Sequence, residues 1–420
     1  MKKTKLCLLK TFGIVICAII CLYNYGPQME RLRSMPNEIY IRDGDIQNDI
    51  LNIDAPFYVQ GTDEIQASQS GDESLGTNSS YEDGSTIGTI TIDFFNLIPL
   101  KTIDVKERRD ILVMPGGNSV GIHINTKGVL VVGMGEVITE SGSINPAYEA
   151  GVRAGDVISR VNGIEIEDAE HLSQVCNEVT GPLVLSIVRD GGNLEFTIQP
   201  AYDVGDKVYK LGMWIRDNSA GVGTMTFSLP ETGRYGALGH AITDVDTGSI
   251  ITTGGGKLLN SRIVGITKGA KGIPGELKGT FSTSGDGIGV IDANCEFGVF
   301  GTLDNVEANP LYPNGILLGY PEEARTGRAA ILTTIDGNGI AEYECEIIKI
   351  YDQSDPATKG MVIKVTDERL LEATGGIVQG MSGSPIIQNG KLIGVVTHVF
   401  INDPTRGYAL YSYWMYNAMN

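Results

Sequence analysis

Apolar and polar positions change rhythm several times along the chain. After Lys2-Lys3-Thr4-Lys5 comes an apolar run from Leu6 to Tyr23, broken only by Lys10, Thr11 and Gly13. A basic head before a stretch of this kind predicts a transmembrane signal anchor over residues 1–30. Its basic side stays cytoplasmic and the rest of the chain is exported. No small-residue cleavage word follows the run, so the anchor is expected to be retained, with a cleaved signal peptide as the other reading. Residues 31–105 are expected to be an exported linker. Within it, short alternations such as Ile39-Tyr40-Ile41 predict a small β piece, and residues 61–85 offer almost nothing to bury, which predicts disorder and protease access. A strand-like run spans Ile87 to Val105.

Between 106 and 201 the pattern tightens. A short helix should end at Gly151, Gly155-Asp156 should turn, and Val157–Val161 should be a strand closed by Asn162-Gly163. Ala169 to Val179 reads as helix, and Leu183–Val188 with Leu194–Ile198 as a hairpin around Gly191-Gly192. From 202 to 420 short strand patterns dominate, among them a hairpin around Asn389-Gly390. The fold class expected is therefore mainly β.

Composition agrees, with 55 glycines and 16 prolines in 420 residues and few long amphipathic periods. The net charge of −19 is uneven, because residues 31–33 and the N-terminal head hold basic residues in excess. A chain this acidic would repel phosphate backbones, so no nucleic-acid partner is expected. Of six cysteines, Cys7, Cys17 and Cys21 fall in the anchor. Cys176, Cys295 and Cys345 are far apart, lack metal-ligand spacing and read as free thiols, so no metal and no cofactor is expected.

The words Asn145-Pro146-Ala147-Tyr148-Glu149-Ala150-Gly151-Val152-Arg153-Ala154-Gly155-Asp156-Val157-Ile158 and Val161-Asn162-Gly163-Ile164 resemble bacterial PDZ domains. Such domains capture a peptide as an added strand beside a backbone loop. The matching stretch is Ser119-Val120-Gly121-Ile122, where Gly121 would let the N–H groups turn inward. An ordinary β-turn is the alternative there.

The informative words further on are Gly380-Met381-Ser382-Gly383-Ser384-Pro385 and the apolar hairpin that follows, ending at His398. They resemble the nucleophile region of chymotrypsin-like peptidases, which implies a double β-barrel. A tight glycine turn would expose the Ser382 hydroxyl and aim the Gly380 and Ser382 N–H groups at an oxyanion. An α/β-hydrolase elbow is excluded, since it needs a glycine where Ser384 stands and a helix where Ile386–Gln388 reads as strand. Ser384 is the competing serine. For a base, His123 and His171 lie in the PDZ segment and His398 lies on a pocket wall, which leaves His240 in a glycine-rich turn. Spacing leaves its acidic partner open among Asp244, Asp246, Asp292, Asp304 and Asp367.

Taken together, the anchor, the PDZ words, Gly239-His240, Val365-Thr366-Asp367-Glu368 and the serine word resemble the stage IV sporulation protein B peptidases of endospore-forming bacteria. The resemblance implies a triad of His240, Asp367 and Ser382. It also implies an enzyme exported into the space between forespore and mother-cell membranes. There it would cut itself near the N-terminus and then cut a membrane-bound regulator of an intramembrane protease, leading to sigma-factor activation. Asp367 lies much closer to Ser382 than in chymotrypsin. The rival expectation is a catalytically inactive PDZ adaptor on a dead peptidase scaffold.

Overall fold

This computed structural model describes residues 30, 32, 33, 35, 37–42, 57–61, 86–94, 97–179, 181–282, 287–353 and 355–419. The expected anchor (but for residue 30) and the expected disordered stretch (but for residue 61) lie outside them. Among the described residues no helix is long and apolar enough to cross a membrane.

The chain divides into two compact units, 1–110 and 111–420. The first contains a four-stranded sheet where a linker was expected. Its strands are β1 (Glu38–Arg42), β2 (Phe57–Gly61), β3 (Thr86–Phe94) and β4 (Ile98–Arg108), in the order β1-β4-β3-β2. Ile90, Ile92, Ile103 and Val105 alternate onto one buried face, as the period of two requires.

In the second unit, β5 (Leu112–Pro115) leads into β6 (Ser119–Met134), and the PDZ elements follow. Helix α1 (Pro146–Ala150) starts on Asn145, whose side chain accepts from the Tyr148 N–H, and ends on Gly151 at φ 108°. Strand β7 (Val157–Val161) pairs with β8 (Leu183–Arg189), which pairs with β9 (Gly192–Ile198). Helix α2 (Ala169–Glu178) is capped by Asp168. The acid of the Gly155-Asp156 word is fully buried and is held by Arg189 at 2.6 and 2.7 Å. A buried carboxylate needs such a partner.

A first barrel closes through β6, β10 (Met213–Ser228), β11 (Arg234–Ala237), β14 (Gly298–Leu303), β13 (Gly289–Cys295) and β12 (Thr253–Asn260), each paired with the next and β12 with β6. Beyond it, β15 (Ile316–Leu318) pairs with β5. A second barrel closes through β16 (Gly327–Thr333), β17 (Ala341–Ile350), β18 (Met361–Val365), β21 (Asp403–Tyr411), β20 (Lys391–Phe400) and β19 (Pro385–Gln388), which returns to β16. Closure leaves neither sheet an open edge. Helix α3 (Glu368–Thr374) connects β18 to the serine word, and α4 (Ser412–Met419) ends the described chain.

The expected domain order needs correction. A PDZ domain over 106–201 ahead of a peptidase domain over 202–420 does not describe this connectivity. Ile122 and Ile124 on β6 belong to the first barrel's core, whereas Val129 and Val131 on the same strand belong to the PDZ core. β10 repeats this in reverse: Met213 and Ile215 pack on the PDZ core, and Met225 on the barrel core. The PDZ domain is thus inserted into the barrel. β6 and β10 run through both, paired from Met134↔Met213 to Ser119↔Thr224.

Candidate active site

The two barrels and the β6/β10 ribbon leave a cleft of about 740 Å³ lined by His240, Ser382, Thr397, His398, Gly380 and Ser219, among others. His240 reaches it because the chain turns sharply after β11. Leu238 and Gly239 both have φ of 70°. At Gly239 a Cβ would also lie 2.8 Å from Val395 Cγ1. The left-handed Leu238 is uncommon for a side chain of this kind and is retained by burial in the barrel core.

His240 Nδ1 lies 2.8 Å from the Ala241 carbonyl oxygen. A carbonyl can only accept, so Nδ1 carries the proton and Nε2 of the neutral ring is left as the basic nitrogen. Burial holds the imidazole below its ordinary value of 6.5, with the Ala241 carbonyl opposing. The His398 ring lies 5.3 Å away, centroid to centroid. It is likewise lowered, first by burial, then by His240 and by Lys359.

Ser382 follows Gly380, at φ 95°, and precedes Gly383, at φ 97°. A Cβ on Gly383 would lie 2.1 Å from the Thr224 carbonyl oxygen, so glycine is required there on two counts. The Gln379 carbonyl accepts from Leu277 and the Met381 carbonyl from Ser384. Because the C=O and N–H of one trans peptide point opposite ways, the Gly380 and Ser382 N–H groups are directed away from those acceptors. Among the described residues neither N–H has a hydrogen-bond partner. This is the arrangement that an oxyanion site requires. The Ser382 hydroxyl itself donates to the Thr397 carbonyl at 2.9 Å. Ser384 is fully buried and its hydroxyl has no partner among the described residues.

The structure does not bring Asp367 to His240. Asp367 is the N-cap of α3, accepting from the Arg369 and Leu370 N–H groups. It also accepts from the Glu344 N–H and pairs with the Arg369 guanidinium at 2.7 Å. Arg369 first, and the backbone donors after it, hold its carboxyl at about 2. The other acids are also engaged elsewhere or exposed. Asp244 caps its own turn and pairs with Arg216, which also takes Asp246. Asp292 pairs with Arg234, and Asp304 is exposed in a bend. Among the described residues no carboxylate bonds to the imidazole, and the one acid lining the cleft is Glu296. Glu296, Ala241 and Thr224 carry no local motif, so nothing in the sequence marked them.

The expected peptide-binding stretch Ser119-Val120-Gly121-Ile122 is overturned. It lies in β6 with both edges occupied, Gly121 facing Val222 on one side and Leu259 on the other. A strand paired on both sides cannot accept a third. The PDZ domain instead has a cleft of about 250 Å³ between α2, through Leu172, Ser173 and Cys176, and the segment Leu211–Ile215. Gly212 has φ of 80°, and Trp214 beside it is 68% exposed.

Cys176, Cys295 and Cys345 are free, and burial pushes the Cys176 and Cys345 thiols up to about 11 and about 12. Among the described residues no group of three His, Cys, Asp or Glu side chains could hold a metal.

Comparison with known proteins bears on these features. A PDZ-domain model matches residues 140–188. No curated protein sequence matches the chain. Two solved structures of the Rv3671c protease from M. tuberculosis are similar to it. The active form is 20% identical, covering 47% of this chain and 72% of that one at a TM-score of 0.25. The inactive form is 17% identical, covering 47% and 81%, also at 0.25. The model of the SpoIVB peptidase S55 family matches residues 207–416, which take in His240, Asp367 and Ser382. With the closed barrels, the glycine-framed serine and this match in hand, the chain belongs to the SpoIVB peptidase S55 family.

Proposed function

We propose that this protein is an exported, membrane-anchored serine endopeptidase that cuts itself between anchor and ectodomain and then cuts a membrane-bound regulator during sporulation. The observation that carries the peptidase reading is the pair of unpartnered N–H groups at Gly380 and Ser382, beside a hydroxyl in the cleft that holds His240. In the proposed mechanism the Ser382 hydroxyl turns from Thr397 to His240 Nε2 and gives up its proton there. Oγ bonds to the scissile carbonyl carbon, and the oxyanion is held by the two N–H groups. The C–N bond then breaks as His240 returns the proton to the leaving amine. Water repeats the sequence to free the acid.

The sporulation setting, self-cleavage and the regulator come from the family rather than from geometry. The family also implies the Asp367 carboxylate as third triad member, but the mechanism proposed here does not use it, and the Ala241 carbonyl orients the ring instead. The bond from Ser382 to Thr397 favours one second reading, a chain that has kept the fold and lost the chemistry. A serine-directed fluorophosphonate separates the two. Covalent labelling of the wild type and none of Ser382→Ala supports the peptidase; an unlabelled wild type leaves the adaptor. Mapping new N-termini in cells, expected within residues 51–85, tests self-cleavage. Identical sizes for wild type and Ser382→Ala would refute it.

A further inference from the structure

Each peptide unit around the nucleophile is pinned by one or more hydrogen bonds. The Gln379 carbonyl takes the Leu277 N–H and the Met381 carbonyl takes the Ser384 N–H. The Met381 N–H goes to Val378 and the Gly383 N–H to Val396. The two remaining carbonyls, of Gly380 and Ser382, both go to Thr224 on β10. Its hydroxyl donates to the Gly380 oxygen at 2.7 Å, and its N–H to the Ser382 oxygen at 3.1 Å. The Thr224 carbonyl in turn accepts from the Leu238 N–H at 3.2 Å, in the bend that delivers His240. Thr224 is 1% exposed.

We propose that Thr224 is a positioning residue that holds the oxyanion-binding turn in register with the histidine bend. Its hydroxyl is the one side-chain group among the bonds just described. The others are backbone to backbone and survive any substitution that keeps the chain path. Losing the hydroxyl would leave the Gly380–Met381 peptide held by the Met381 N–H to Val378 bond alone, in a turn where Gly380 imposes little resistance at φ 95°. The peptide can then tilt about that bond and carry Gly380 with its N–H, and a misaligned donor stabilises the developing oxyanion less. The same strand supplies a matched control. Thr226, two residues on, is fully buried with a hydroxyl that has no partner among the described residues.

The proposal rests on Ser382 being the nucleophile, and the experiment separates the two. Full-length wild type, Thr224→Val, Thr224→Ser, Thr226→Val and Ser382→Ala are compared on p-nitrophenyl acetate hydrolysis and on the rate of fluorophosphonate labelling. Thr224→Val is expected to lose roughly tenfold or more in kcat, short of the loss typical for deleting a whole oxyanion donor, with KM changed by less than about twofold. Fluorophosphonate labelling, which places an anionic oxygen in the same site, should slow in step. Thr224→Ser should restore activity to within a few-fold, and Thr226→Val should behave as wild type. Equal, small effects of Thr224→Val and Thr226→Val would overturn the role. Should Thr224→Val not fold, Thr224→Cys, with its weaker donor, takes its place. Failure of both to fold would make Thr224 a residue of the fold alone and also overturn it. Full hydrolysis by Ser382→Ala would instead remove the nucleophile assignment beneath the proposal.

Discussion

The Ser382 hydroxyl donates to the Thr397 carbonyl at 2.9 Å, although His240 lines the same cleft. Rotation about the Ser382 side-chain bond would release the hydroxyl from Thr397 into that cleft, and such rotations are fast. Ser382→Ala should therefore abolish peptide-bond cleavage and fluorophosphonate labelling with little change in melting temperature, since it removes one neutral hydrogen bond. Ser384→Ala removes a buried hydroxyl without a partner and should leave both activity and stability within about 1 kcal/mol of wild type. Inactivation by the second substitution alone would exchange the roles of the two serines.

Activity should persist into mildly acidic solution. Burial lowers the His240 pKa below 6.5 in the fold, so the ring stays neutral and basic at pH values where a free imidazole is half protonated. The acid limb of kcat/KM is expected below pH 6.5. Stability has the same sign. In the window below 6.5 the unfolded chain binds more protons at this site, so stability is present above 6.5 and falls as pH drops through the folded value. A limb at or above 6.5 would contradict the burial argument.

Asp367→Ala should cost about 1–2 kcal/mol, the usual penalty for losing an N-cap, and should lower activity by loosening the helix that leads into the serine word. Asp367→Asn keeps a capping oxygen and should retain most of both. The carboxyl's stabilising contribution, with its pKa at about 2 against an ordinary 3.8, is present above pH 3.8 and lost as pH falls toward 2. Rates and melts of the two variants decide the matter. A similar loss of several orders of magnitude in both, with normal melts, would place the carboxylate on the imidazole during turnover.

Gly121→Val should destabilise the whole second unit rather than retune a peptide groove. A Cβ there would lie 2.4 Å from Phe281 Cγ, inside a strand paired on both edges. Ester hydrolysis and protein cleavage should fall together, with a lower melting temperature. Loss of protein cleavage alone would return the binding role to this stretch.

Extended peptides that bind the PDZ domain should report through Trp214. It flanks the cleft between α2 and Leu211–Ile215 and is largely exposed. Strand addition beside it should shift its emission, and Ser173→Arg, which places a charge at the exposed rim of the cleft, should abolish the shift. An unchanged titration in Ser173→Arg would locate binding elsewhere.

Much of this molecule was legible locally. Asn162-Gly163 and Asn389-Gly390 adopt the positive φ values that tight hairpins demand. Gly380 and Gly383 flank Ser382 as the turn requires, and α1 and α2 begin at Asn145 and Asp168. These features depend on chemistry within a few residues, so the sequence alone determined them. Only the tertiary structure decided which distant backbone each segment meets. Ser119–Ile122 has the look of a ligand loop, yet β10 and β12 cover both its edges. Asp367 follows a family word, yet its carboxylate goes to its own helix and Arg369. Thr224 is one threonine in an alternating strand, and nothing nearby in sequence shows that it meets Gly380 and Ser382, more than 150 residues on. Strand pairing is set by long-range register and burial, which hydrophobic alternation leaves open.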